Sequence, residues 1–519
     1  MSFLSPKLYQ FLVSCFASVG SFTYGYDLGI IAQVTSSEHF HRYFNEPSST
    51  EVGLVVSLFT AGAFTGAFLA GFSSNYIGRR GTIALATAVF ILGSALQSGA
   101  RSIHYLFGGR FIGGTGVGLL CMIIPLYQAE LAHPSIRGRV TALQQFFLGI
   151  GSLCASWIGY GCYLGFSDDN QWRLPLGIQI IPAGILGGLI FFFPESPRWL
   201  LEKDRAEEGL KTLARLYAHG DVEDALVRVE FEDIQTAIVE ERDLTVSSWK
   251  ELFTTKSNFR RLFLCVALQA SIQMTGVSAI QYYSPTIFAQ IGLSTGRTLL
   301  FQAINSIIAL IGQGICIALI DITGRRWPLI LGNLGNCLTF IAGAVLLAKF
   351  PPGANNPRSA QIGFIATTWI YNFCFSTACG PLSWIIPAEV FNTATRSWGV
   401  SISTMTSFAF NTMVGQVTDK AMTDIGYKYY FLFIVCNFTN AIFFWALLPE
   451  TRGVPLESMN NLWESATWFV PTMKRHDFLK DFEDEVKAAG EKPIQEHIES
   501  QDLNADATNE PDASFKEKI

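Results

Sequence analysis

Residues 104–128 read HYLFGGRFIGGTGVGLLCMIIPLYQ, a stretch whose one Lys, Arg, Asp or Glu is Arg110. The run Gly113-Gly114-Thr115-Gly116-Val117-Gly118 has the look of a phosphate-cradling loop. Such a loop follows a strand and opens a helix, whereas this one lies in the middle of an apolar stretch long enough to cross a bilayer as a single helix. Small residues inside a membrane helix let neighbouring helices approach closely, and that is the reading taken here.

The rest of the chain agrees. Of 519 residues, 50% are apolar and only 15% are charged, against roughly 25% in an ordinary soluble domain. Residues 195–261 hold 26 of the 78 charges and the tail from Lys474 holds 20, which leaves 32 charges for the remaining 406 residues. Soluble domains with wetted surfaces cannot be built from that remainder, and disorder, nucleic-acid binding and a secreted disulfide scaffold are excluded with them. The tail carries 13 acids against 7 bases, so the whole net charge of −6 belongs to it. All ten cysteines fall in apolar stretches, where a lone thiol behaves as a small hydrophobe; no metal site and no cofactor is expected.

Twelve apolar stretches can be drawn, six before a long polar loop (about 8–33, 50–73, 82–99, 104–128, 139–164 and 172–193) and six after it (262–291, 298–320, 328–348, 360–388, 396–420 and 427–448). The expected fold is therefore an all-α membrane protein of twelve transmembrane helices. Residues 1–193 form one six-helix bundle, 194–261 a cytoplasmic helical linker, 262–453 a second bundle, and 454–519 an acidic cytoplasmic tail. Basic residues in the short loops tie between the two sides. The linker ends, with Arg198, Lys203, Arg205, Lys256, Arg260 and Arg261, break the tie and put the linker and both termini inside. Within the linker, Leu210, Leu213, Ala214 and Tyr217 recur at helical spacing between charges.

The two halves repeat. Gly78-Arg79-Arg80 returns as Gly324-Arg325-Arg326, Glu130 with Arg137 returns as Glu389 with Arg396, and Pro194-Glu195 returns as Pro449-Glu450, each at a linker-side helix end. Parallel halves around a midplane site are a transporter architecture.

Ionisable groups are expensive in a bilayer, so each is a functional hypothesis. Asp27 reads as the only carboxylate inside a helix, and Arg110 lies at a similar depth, about 9 Å below the interface. The two are expected to face each other. They form either a static pair that orients two helices or a proton-exchanging site, in which desolvation opposes ionisation of Asp27 and the guanidinium favours it. A second group, Arg79, Arg80, Glu130, Arg137, Glu195 and Arg198 with Asp321, Arg325, Arg326, Glu389, Arg396 and Glu450, puts both signs at the inner helix ends. Pairs between the halves would close an inner gate.

On these residues the chain resembles the sugar porter family of the major facilitator superfamily over about residues 10–460, most nearly its fungal hexose and pentose carriers. The signatures run in order: Gly25-Tyr26-Asp27, Gly78-Arg79-Arg80, Arg110 with the glycines after it, Pro125, Tyr127, Glu130 and Arg137-Gly138, then Pro194 to Trp199, Asp321 to Arg326, Gly380-Pro381 with Trp384, and Pro449 to Gly453. The resemblance implies alternating access around a central sugar site, with proton coupling at Asp27 and Arg110. It assigns sugar contacts to Gln145, Gln269, Gln273, Ser278, Trp384 and Asn411, which suits chemistry that reads a polyol with planar amides and an aromatic face. Departures stand beside it. Ile272, Ser278 and Ser407 replace usual amides, Asn305 is one turn early, and Asn75 replaces a loop aspartate, so glucose specificity does not follow.

The expected function is secondary active symport of a proton with a monosaccharide or related polyol, in the plasma membrane. The lipid bilayer and the small molecule are the partners. A facilitative or quinate-like uniporter and a nutrient sensor on the same fold are the alternatives. An enzyme is disfavoured because no nucleophile, base and orienting group converge at readable spacing.

Overall fold

The computed structural model describes residues 5–132, 137–224, most of 227–238, 251–289, 292–350, 357–391, 393–452, 462–463 and 468–472. The acidic tail from Lys474 lies outside these residues.

Among the described residues the chain crosses the bundle twelve times. The first crossing is α1 (Pro6–Ala17) running into α2 (Val19–Thr35), followed by a short α3 (Glu38–Tyr43). One long helix, α4 (Ser49–Ser98), supplies the second and third crossings because it breaks at Gly78, whose φ of 78° is left-handed. Then come α5 (Ile103–Leu131), α6 (Arg137–Gly165) and the sixth crossing, α7 (Asn170–Ile178) with α8 (Ile180–Leu189). The linker carries α9 (Pro197–Glu202), α10 (Ala206–Tyr217) and α11 (Glu251–Thr254). The second half follows the same order: α12 (Lys256–Gln273) with α13 (Val277–Ala289), α14 (Thr295–Thr323), α15 (Arg326–Lys349), α16 (Arg358–Cys374) with α17 (Gly380–Val390), α18 (Thr393–Ile425) and α19 (Tyr429–Leu447). The end of the bundle that carries the linker is called the linker face, and the other the far face.

The glycine run lies inside α5, as the membrane reading requires. A Cβ at Gly114 would fall 1.9 Å from the carbonyl oxygen of Phe59 on α4, and one at Gly118 would fall 2.1 Å from that of Ala63. The two helices meet backbone to backbone there, with no room for any side chain.

Two crossings are interrupted next to the centre. Between α12 and α13 the chain bends at Gly276, at φ 93°. The Thr275 carbonyl beside the bend accepts from the Tyr371 hydroxyl at 3.2 Å and from Asn437 Nδ2 at 3.1 Å, so that carbonyl is satisfied inside the apolar interior. A Cβ at Gly276 would stand 2.7 Å from the Phe340 ring. Gly276→Ala is therefore expected to cost about 1–3 kcal/mol, read as a lower thermal midpoint of the purified carrier; an unchanged midpoint would show that the bend accepts a side chain. Between α16 and α17, residues Phe375–Cys379 form a π-turn. Pro381 follows directly and has no N–H to return to the turn before it, and π-turns of this kind recur at functional sites.

The linker packs as its spacing predicts. Leu213 and Ala214 are buried in α10, Val227 closes on them, and Gln10 of α1 donates to the Leu216 carbonyl at 2.9 Å, which docks the linker on the first half.

Candidate functional site: a charge-free chamber beside a buried ion pair

Asp27 and Arg110 meet as expected. Arg110 Nη1 donates to Asp27 Oδ1 at 2.6 Å, with each side chain only 1% exposed. The guanidinium is held further by the Val55 carbonyl (2.8 Å), by Gln97 Oε1 (3.3 Å) and by the Phe59 ring, whose centroid is 4.2 Å from its central carbon. The other carboxylate oxygen of Asp27 has no hydrogen-bond partner. The first half thus holds a permanent cation in four contacts and a carboxylate with one oxygen left over. Tyr282, from the second half, lies within electrostatic reach of both charges.

One turn before Asp27, Tyr24 borders a chamber of about 120 Å³ between the two halves. Gln145, Gln273, Ser278, Trp384 and Asn411 all line it. Gln273 is held at both ends, its Nε2 donating to Ser407 Oγ at 2.9 Å and its Oε1 accepting from Ser278 Oγ at 2.7 Å. The two serines that replace usual amides therefore fix the glutamine that remains. Among the described residues, none that lines the chamber is Asp, Glu, Lys, Arg or His.

Gln269 is placed differently. Its Nε2 donates to the Ser383 carbonyl at 2.9 Å, behind the chamber wall. Pro387, four residues on, cannot bond that carbonyl, so Gln269 satisfies a helix defect rather than facing the cavity. Sequence reasoning missed Gln302, Gln313 and Asn372, which line the chamber with Asn305. The side-chain oxygens of Gln302, Asn305, Gln313 and Asn411 are all buried without a partner. A second omission is Asp419 in α18, a further carboxylate within a helix, close to the far face beside Ser49.

At the far face the halves are joined directly. Ser57 Oγ donates to Gln416 Oε1 at 2.5 Å, Thr60 and Thr412 hydroxyls meet at 2.7 Å, and Tyr24 packs edge-on against Phe408.

At the linker face the repeated charges form two copies of one arrangement. Glu195 accepts from the backbone N–H groups of Arg79 (3.1 Å), Arg80 (3.2 Å) and Ser196 (2.9 Å), while Arg79 forks onto Glu130 at 2.7 and 2.8 Å. Glu450 accepts from the N–H groups of Arg325 (2.8 Å), Arg326 (3.1 Å) and Arg452 (3.1 Å), while Arg325 forks onto Glu389 at 2.9 and 3.3 Å. Gly78 and Gly324 share the same left-handed turn, in which a Cβ would strike the captured glutamate at 2.7 and 2.6 Å. Burial pushes the Glu195 carboxyl above its usual value, against the pull of its three N–H donors. Arg198 bonds Glu202 within the linker at 3.4 Å.

Every ion pair between described residues in this layer joins two residues of one half or of the linker beside it. The expected pairing between halves is not among them in this conformation. Backbone N–H groups bind the carboxylates of Glu195 and Glu450, and the arginine of the same turn binds Glu130 or Glu389. The side chains of Arg137, Asp321 and Arg396 lie outside the described residues.

Over residues 13–463 the chain matches the profile of a family described as "Sugar (and other) transporter". A protein named quinate permease from Emericella nidulans is 32% identical over 485 residues, which is 88% of this chain and 90% of that protein. A high-affinity glucose transporter of Kluyveromyces lactis is 29% identical over 474 residues, 88% of this chain and 86% of the relative. Among solved structures, the proton:xylose symporter XylE bound to 6-bromo-6-deoxy-D-glucose superposes with a TM-score of 0.74 at 24% identity, covering 88% of this chain and 99% of that one.

Proposed function

This chain belongs to the sugar transporter family, and from that membership we propose that it carries a neutral monosaccharide or related polyol across the membrane by alternating access, together with a proton held at Asp27. The observation that carries the reading is the chamber: amides and hydroxyls drawn from both halves, an indole at Trp384, and no Asp, Glu, Lys, Arg or His in its lining. Four unpartnered amide oxygens there suit hydroxyl donors.

The proton reading rests on the separate pair. With Asp27 ionised the pair is neutral and Arg110 is satisfied. With Asp27 protonated the guanidinium keeps its Val55, Gln97 and Phe59 contacts while its hold on α2 weakens. Tyr24, on the same helix, borders the chamber, which gives a short path from protonation to the sugar site. The basic linker ends support a cytoplasmic linker face, with both termini inside.

A quinate-like substrate is the second reading, favoured by the name of one relative. Its carboxylate would enter a chamber with no cation in its lining, and an unpaired buried charge is strongly disfavoured. In a host lacking its own sugar carriers, uptake of D-glucose or D-xylose is expected, with quinate at less than about a tenth of that rate. A protonophore should abolish accumulation. Preferential quinate uptake would overturn the neutral-polyol reading, and protonophore-insensitive equilibration would leave a uniporter.

A further inference from the structure

Gln313 borders the chamber from the second half. It is 6% exposed, comes from α14, and its side-chain oxygen has no partner. That oxygen occupies the space a side chain would need on the first half, since a Cβ on Gly149 of α6 would fall 1.9 Å from it and 3.1 Å from Leu310. The contact crosses between the two halves at the depth of the site. Nothing but glycine at 149 leaves the Gln313 amide where it is.

A second, smaller cavity of about 20 Å³ lies next to the chamber, lined by Cys316, Ile317 and Ile320 of α14. These positions descend α14 from Gln313 towards its linker-face end at Thr323, so the small cavity is on the linker side. Gln145, Gln313 and Trp384 border both cavities. They are the partition between them.

We propose that Gln313 is a substrate-recognition residue and completes, with Gln145 and Trp384, a removable floor of the chamber that rests on the bare backbone of Gly149. The inference builds on the transport reading and goes beyond it, because it assigns recognition and linker-side closure to one amide. In the seated position the Gln313 amide, whose oxygen rests on Gly149, lines the chamber and hydrogen-bonds a hydroxyl of the bound polyol. Release towards the linker face requires the amide to leave Gly149, which opens the chamber onto the Cys316 cavity.

The geometry makes an unusual test possible. The atoms nearest a methyl at 149 are the tip of a flexible side chain and one Leu310 methyl, so Gly149→Ala should displace Gln313 without unfolding α6. Three full-length variants, G149A, Q313A and the double, are compared with the parent in membrane vesicles. The first readout is KM against maximal rate for D-glucose and D-xylose. The second is the rate of Cys316 alkylation by N-ethylmaleimide, followed by peptide mass spectrometry, which needs no transported substrate. Each single variant is expected to raise KM about tenfold with a smaller change in maximal rate, as for the loss of one buried hydrogen bond, and to speed Cys316 alkylation. The double variant should match Q313A alone, since the methyl then has nothing to displace. Parental KM and parental alkylation in Q313A, or additive effects in the double, would overturn the proposal. If the parent takes up neither sugar, the transport reading fails for those substrates while Cys316 alkylation still decides the floor.

Discussion

Asp27→Asn should leave a carrier that no longer concentrates its substrate, with the accumulation ratio falling to one, while exchange of labelled for unlabelled substrate continues. Asparagine keeps the volume of aspartate and still offers Arg110 an oxygen at the position now 2.6 Å away. It lacks only the group that binds and releases a proton. Concentrative uptake by the variant in energised cells would sink the proton role of Asp27. The companion substitutions should differ from each other for a simple reason. Removing Arg110 leaves a buried carboxylate that can neutralise itself by taking up a proton. Removing the side chain of Asp27 leaves a guanidinium that cannot lose its charge, and breaking a buried pair in that way costs about 3–5 kcal/mol. Asp27→Ala should therefore lower the thermal midpoint more than Arg110→Ala. The opposite order would mean that the Val55, Gln97 and Phe59 contacts alone suffice for the arginine.

The second large effect is expected at the linker face, where two copies of one arrangement differ in burial. Arg79 and Glu130 are 5% and 9% exposed, whereas Arg325 and Glu389 are 12% and 26% exposed. Glu130→Ala strands the more deeply buried arginine and is expected to cost about 3–5 kcal/mol. Glu389→Ala should cost clearly less, because water reaches that pair and screens it. Thermal unfolding of the two variants, side by side in the same detergent, checks the order. Equal shifts would show that the difference in burial has no energetic weight.

How much of this was legible in the sequence follows from what water does to each signal. Asp27 and Arg110 stood out because a charge in an apolar stretch is rare, and rarity pairs residues by elimination. The twelve crossings were readable for the same reason, since thirty-two charges over four hundred residues leave few places for loops. Amides give no such contrast. Gln269 and Gln313 look alike in sequence, yet one satisfies a carbonyl freed by Pro387 and the other lines the chamber. Only the packing of helices separates those roles. Among the described residues the linker-face charges pair within each half, and the left-handed turns at Gly78 and Gly324 aim backbone N–H groups at Glu195 and Glu450. Turn geometry competes with long-range ion pairing, and charge counting cannot weigh the two.

The buried pair also bears on membrane voltage. On the proposed coupling, an ionised Asp27 leaves the pair with no net charge in the moving part of the carrier, so the empty form should reorient indifferent to the field. A proton on Asp27 leaves Arg110 as one uncompensated positive charge, and a full charge crossing a membrane responds by about 2.3 kcal/mol per 100 mV. An inside-negative potential should therefore drive the loaded stroke inward and leave the return stroke untouched. In patch recordings, the steady current should rise with hyperpolarisation until the empty return limits it and then flatten, which makes a chemical detail of two side chains visible as the shape of a current–voltage curve.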